Sequence, residues 1–392
     1  MNARVLRTAV GGSLAIVFAA GSAILSAQAP PPTDVPGAVK GYTAPRTSWG
    51  DPDLQGIWPG IELVGVPMQR PANFGTRNWL TDEEFAQRQS QAERQAEQDL
   101  AEFDIGDTPA GGAVGGPVSP PPHWLERGTP QRIASLVVDP PDGRTPPTTE
   151  AYRELQQARN QEAQVRRASL EGREADSYTD RSIYDRCITR GIAGSFLPVI
   201  YNNGNEIVQG PGWVALRNEM IHETRIAPLD GRAKLNGVIT SWMGDSRARW
   251  EGDTLVVETT NFNERTSGIG VNGGGTRGSD AMKVIERITR VAPDLLVWDM
   301  TFDDPNVWTR PWTIRLPLKL DNDYLMAEYA CHEGNYTMFN ILSGARADEK
   351  LQEEAKAKGL PNPLQPAGGR GGGGRGGAGG RGGGGGRGGR GQ

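Results

Sequence analysis

Two stretches in the second half of the chain alternate with a period of two residues, and nothing else in the sequence constrains the fold as much. Leu296, Trp298, Met300 and Phe302 alternate with Val297, Asp299 and Thr301. Trp312, Ile314, Leu316, Leu318 and Leu320 alternate with Thr313, Arg315, Pro317 and Lys319. Successive side chains of a strand point to opposite faces, so this pattern predicts half-buried strands and not helices. Pro317 falls on the polar face, which suggests an edge or a bulge. Trp250-Glu251-Gly252-Asp253-Thr254 reads as a tight hairpin turn leading into Leu255-Val256-Val257. Counting such runs predicts about eight to ten strands between residues 196 and 332. Short connections without intervening helices favour an antiparallel architecture, either a lipocalin-like barrel or a sandwich. The expected class is mainly β with peripheral α.

The regions around this core differ in texture. Arg4 and Arg7 precede an uncharged run from Val10 to Ile24, and Ala27-Gln28-Ala29 fits a cleavage site. Residues 1–29 therefore read as a signal peptide, which predicts a periplasmic or secreted protein. No later segment approaches the roughly 18 apolar residues of a membrane span, so none is expected in the mature chain. Residues 30–180 read as an irregular and helical N-terminal extension. Within it, Thr81-Asp82-Glu83-Glu84 is a capping box opening a polar helix to about Phe103. Residues 107–122 form a Gly/Pro-rich loop, and Thr148 caps a second polar helix. An antiparallel β domain is expected over 181–350. From 351 to 392, and above all from Gly368 onward, glycine punctuated by arginine predicts a disordered tail.

Removing the five tail arginines and the two at the start takes the formal charge from −5 to about −12. So acidic a body argues against nucleic acid as the main partner. Cys187 and Cys331 are the two cysteines of the chain. In an oxidising compartment they are expected to pair, and closing so long a loop stabilises by roughly 4–5 kcal/mol in the chain-entropy picture.

The order of several short motifs resembles a family. Asp230-Gly231-Arg232, Trp242-Met243-Gly244-Asp245-Ser246 and Trp250 to Val257 are followed by Glu286-Arg287, Asp304-Pro305, Arg310-Pro311-Trp312-Thr313 and Glu328-Tyr329-Ala330-Cys331. Together with Pro52 to Trp58, this series resembles a large group of uncharacterised exported bacterial proteins over residues 45–350. The resemblance implies export and no particular activity. Relatives often carry a His-x-His stretch ahead of the Glu-Arg pair; here 273–280 contains no histidine.

Candidate chemistry rests on polar residues set on apolar faces. If 214–226 is one continuous strand, Val214, Leu216, Met220, His222 and Ile226 face the core, while Glu219 and Arg225 face solvent. Met282, Val284, Glu286, Ile288 and Arg290 share a face of another strand. Tyr324, Met326, Glu328, Ala330 and His332 share a face of a third. His222, Glu286, Glu328 and His332 are therefore the candidate catalytic residues, converging on a ligand inside a barrel; inward carboxylates beside a histidine suit acid–base work. The alternative is structural, with Glu286 paired to a buried arginine such as Arg290 or Arg190. A two-histidine, one-carboxylate metal site from His222, His332 and Glu328 or Glu333 lacks any ligand-spacing signature, and no cofactor is predicted. Three functional classes stay open: a binding protein for an unknown small molecule of apolar or sugar-like character, a hydrolase or lyase, and an envelope-associated interaction protein.

Overall fold

The computed structural model describes residues 31, 33–100, 125–169, 177–263, 265–270 and 274–363. The expected signal peptide, the 107–122 loop and the Arg/Gly tail lie outside the described residues. Twelve strands are present among those described. Two short ones come early, β1 (Gly56–Ile57) and β2 (Val137–Asp139). The rest follow as β3 (Asn205–Gly210), β4 (Trp213–Asn218), β5 (Thr224–Pro228), β6 (Asp245–Glu251), β7 (Thr254–Thr260), β8 (Gly268–Ile269), β9 (Thr276–Arg277), β10 (Lys283–Ala292), β11 (Leu295–Asp303) and β12 (Trp312–Lys319).

All pairings between these strands are antiparallel. One sheet has the order β1-β3-β4-β5 and a larger one the order β2-β12-β11-β10-β7-β6; β8 and β9 form a separate ribbon. Neither sheet closes on itself, so the architecture is sandwich-like and not a closed barrel. Ile207, Leu216, Val214 and Ala227 of the smaller sheet share one core with Leu255, Val257, Ile288, Trp298, Met300, Ile314 and Leu316 of the larger. The hairpin at Gly252-Asp253 is present, with Glu251 opposite Thr254 and Gly252 at φ +62°.

The second face of the larger sheet is buried too, which the alternation does not announce. Asp299 and Arg315 form a bidentate ion pair at 2.7 and 2.6 Å, and Arg315 Nη1 also donates to the Pro31 carbonyl at 3.0 Å. Val35 packs nearby against Val291, Leu295 and Val297. The chain after residue 30 thus covers what would otherwise be a solvated face. Pro317 lies opposite Val297 on an interior strand, but β2 is short and reaches only Thr313 and Ile314, so no ladder bond is lost at the proline.

Thr81 and Glu84 form the expected capping box. Glu84 Oε2 accepts from Thr81 N at 2.8 Å, and Thr81 Oγ1 accepts from Glu84 N at 3.3 Å, opening α1 (Asp82–Leu100). The Arg77 guanidinium and these cap bonds hold the Glu84 carboxyl at about 2. For α2 (Glu150–Ser169) the cap is one residue later than expected: Thr149 Oγ1, not Thr148, accepts from Tyr152 N. A short helix, α3 (Gly191–Gly194), packs Ile192 and Ala193 into the core.

The chain divides into two compact units. The first comprises residues up to 158 together with 187–333; the second comprises 159–186 and the residues from 334 onward. Within the second, Asn335 caps α4 (Tyr336–Ala357) by accepting from Met338 N, and Asn335 Nδ2 donates to the Asp185 carbonyl.

Replacing Asp299 by asparagine leaves the Arg315 guanidinium buried without its counter-charge. The expected loss in unfolding free energy is about 3–5 kcal/mol, read from urea denaturation.

Candidate functional site

Of the four residues expected to converge, Glu286 alone lies in the interior. It is fully buried on β10, and Arg225 of β5 clamps it from the facing sheet: Nη1 donates to Oε2 at 2.6 Å and Nη2 to Oε1 at 2.9 Å. Trp298 Nε1 adds a third bond to Oε1 at 3.1 Å. The partner is Arg225 and neither Arg290 nor Arg190. Arg290 instead donates to the carbonyls of Pro293 and Asp53.

Arg225 was expected on the solvent face because 214–226 read as one strand. The chain breaks that strand. Ile221 and His222 take left-handed φ values of +59° and +46°, and Asn218 N bonds across the kink to the Glu223 carbonyl. For a β-branched residue such as Ile221 this conformation is strained. The kink shifts the alternation by one residue. Arg225 and Ala227 turn inward, and Ile226, expected in the core, is 63% exposed.

His222, Glu328 and His332 are exposed. The strand expected from Tyr324 to His332 does not form, because this segment pairs with no sheet edge. Its backbone is held by side chains: Ala327 N donates to Glu219, and the Tyr329 carbonyl lies 2.8 Å from His222 Nδ1. Cys331 is joined to Cys187 with Cα atoms 5.7 Å apart. Glu328 and His332 therefore share no strand face, and the four residues do not form one site. Among the described residues no three His, Cys, Asp or Glu side chains are grouped to hold a metal ion.

Glu219, expected in solvent, is instead a buried hub. Its Oε1 accepts from Asn202 Nδ2 and Ala327 N, and its Oε2 from Gly204 N and the Tyr324 hydroxyl at 2.7 Å. The Tyr324 hydroxyl also lies 2.8 Å from Glu126 Oε1, and Glu126 accepts from the backbone N–H groups of Asn202 and Asn203 and from Asn203 Nδ2. Burial, then the bond to Glu219 and the two nearby carboxylates, push the Tyr324 phenol well above its ordinary value. Each carboxylate accepts three N–H bonds, and the single Tyr324 proton lies between the two. They act as clamps that fasten residues 202–204 and 324–327. Beside the kink, burial also lifts the Glu223 carboxyl, opposed by a bond from Thr189 and the charges of Arg225 and His222.

An open cleft of about 420 Å3 lies elsewhere in the first unit, lined by Thr240, Trp242, Phe262, Asn263, Arg265 and Asp280. Three segments build it. The chain before β6 supplies Thr240 and Trp242, the chain after β7 supplies Phe262, Asn263 and Arg265, and the approach to β10 supplies Asp280. The first two are locked together by backbone and side-chain bonds. Asn263 N donates to the Ser241 carbonyl at 2.8 Å, and Thr266 Oγ1 to the Trp242 carbonyl at 3.1 Å. Asp304 fixes the third segment by accepting from Ser279 N and Oγ at 2.6 and 2.9 Å. Among the described residues the side chains of Arg265 and Asp280 make no ion pair, so both are available to a ligand. Sequence reasoning missed this group; its traces in the sequence are the aromatic Trp242 and the glycine-rich stretch that precedes Asp280.

No protein-family model, no curated protein and no solved structure is significantly similar to the chain.

Two substitutions test these interior contacts. Arg225→Met is expected to cost about 3–5 kcal/mol by stranding Glu286, and adding Glu286→Leu to the same chain should recover much of it, measured by denaturant unfolding. Tyr324→Phe should cost about 1–3 kcal/mol at neutral pH. The folded phenol ionises later than an unfolded one, so its contribution is complete below about pH 10 and falls as pH rises further. The variant should therefore lose stability less steeply than the native chain in that alkaline range.

Proposed function

We infer that the chain is an exported small-molecule-binding protein whose ligand occupies the Trp242–Asp280 cleft and not the space between the sheets. The observation that carries this reading is the composition of the cleft. An aromatic ring and the buried Phe262 meet an amide, a hydroxyl, a guanidinium and a carboxylate within one concavity of about 420 Å3. Pockets for small molecules combine apolar lining with a few convergent polar groups, and this volume lies in their usual range. An aromatic face beside planar hydrogen-bonding side chains suits a sugar-like ring. Its axial C–H groups stack on Trp242, and its hydroxyls reach Asn263 and Asp280 as donors and Arg265 as acceptors. An acidic body favours neutral or cationic ligands over anionic ones.

The acid–base alternative draws less support. Its carboxylate, Glu286, is neutralised by Arg225 inside the core, while His222 faces solvent with Nδ1 against a backbone carbonyl. Export agrees with the Cys187–Cys331 disulfide, and no helix among the described residues is long and apolar enough to cross a membrane.

A thermal-shift screen of neutral mono- and oligosaccharides tests the reading, because a ligand that binds only the folded chain raises its melting temperature. For a sugar that stabilises the native protein, Trp242→Ala and Asp280→Asn are each expected to weaken binding at least about tenfold by calorimetry, or about 1.4 kcal/mol. Stabilisation that both variants retain would place the ligand elsewhere.

A further inference from the structure

The loop between β5 and β6 holds three large aliphatic side chains in water. Residues 231–240 are all exposed, and Leu235, Val238 and Ile239 are among them, Val238 at 84%. The polar groups beside them are bonded within the loop or to neighbouring segments. Asn261, in a left-handed conformation at φ +61°, directs Nδ2 at the carbonyls of Leu235, Asn236 and Ile239 at 3.3, 3.1 and 3.0 Å. Leu235 N donates to Asp245 Oδ2 at 3.0 Å, Val238 N to Asn236 Oδ1 at 3.1 Å, and Ser241 N to the Asn261 carbonyl at 3.0 Å. A loop fastened at this many points cannot fold its three aliphatic side chains back onto the body. Keeping them in water is unfavourable unless something apolar covers them.

We propose that this loop is a docking tip that inserts Leu235, Val238 and Ile239 into the surface of a lipid bilayer. Three features select lipid over a protein partner. First, three partly exposed side chains offer on the order of 300 Å2, well short of the about 800 Å2 per partner that a stable protein interface buries. Second, the exposed apolar side chains of the tip are all aliphatic, whereas the side chains that anchor protein interfaces are mostly Trp, Tyr and Arg. Third, the charges around the tip cancel locally: Arg232 pairs with Asp230, Lys234 with Glu258, and Arg247 with Asp245. A locally neutral collar meets a zwitterionic headgroup layer without repulsion and without requiring anionic lipid. Trp242, which closes the same loop, is of the type enriched at the membrane–water boundary. Insertion of so small an aliphatic patch gives weak and reversible attachment, comparable to a single short acyl chain. The inference does not depend on what the cleft binds.

Co-sedimentation of the full chain with phosphatidylcholine vesicles tests it. The native protein is expected to partition onto these neutral vesicles, equally well at about 0.1 and about 1 M salt, although the Debye length falls from about 10 to about 3 Å between them. Val238→Asp combined with Ile239→Asp should reduce the partition coefficient at least tenfold with an unchanged melting temperature. The milder Val238→Ser should reduce it severalfold and guards against a folding defect in the double variant. Three results would overturn the proposal. One is no partition of the native chain onto neutral vesicles. Another is partition that both variants retain, or that is seen only with anionic vesicles and vanishes in salt, which the arginines between 370 and 390 would explain. The third is a concentration-dependent dimer, seen by sedimentation velocity, that the double variant dissolves, since the tip would then belong to a second copy of the chain.

Discussion

The contact between Arg225 and Glu286 is the one on which the two sheets depend for their mutual placement. Both groups come from inner faces, and both are surrounded by Leu, Val, Met and Trp side chains. Taking a guanidinium and a carboxylate out of water costs several kcal/mol each, and their attraction offsets this only with near-ideal geometry. The bidentate fork supplies that geometry, and the Trp298 indole takes up a further lone pair. An apolar pair of equal volume would hold the sheets as well or better. What the ion pair adds is a penalty against sliding: displace β5 by one residue and two buried charges lose each other. The larger sheet repeats the device on its other side, where Asp299 and Arg315 meet beneath the chain that follows residue 30.

Much of the fold was legible because it is written in short-range patterns. The alternation in β11 and β12, the Gly252-Asp253 hairpin and the Thr81–Glu84 cap all follow from residues a few positions apart. The failures share a different cause. Asp299 and Arg315 look like solvent-facing residues until a distant segment covers them. Arg225 looks outward because the left-handed conformation of Ile221 and His222 has no local signal; neither position is glycine or asparagine. The stretch from Tyr324 to His332 has the period of a strand but no neighbouring edge to pair with. The cleft was hidden for the same reason, since Trp242, Asn263, Arg265 and Asp280 lie on three separate connections that carry no periodicity. Cys187 and Cys331 were the exception among long-range contacts, because compartment chemistry rather than geometry links them.

Several of the motif residues that suggest a family resemblance turn out to have mechanical jobs. Asp245 holds the backbone of the loop at Leu235, Asp304 organises the turn that carries Asp280, and Arg310 clamps Asp139 at the edge strand. Glu286 is half of the inter-sheet pair. In this chain, then, these motif residues serve the scaffold. Trp242 is the exception, since it belongs to the motif series and also lines the cleft.

The kink at Ile221 and His222 has a bearing on how such sequences are compared. The orientation of β5 is set by its pairing with β4 and by the Arg225–Glu286 contact, not by the length of the connection. Passed on to the strand, a single insertion or deletion between Asn218 and Thr224 would send Arg225 outward and bring Ile226 against Glu286. In a sequence that preserves both charges, a change of one residue in this stretch is therefore expected to come with a reshaped kink.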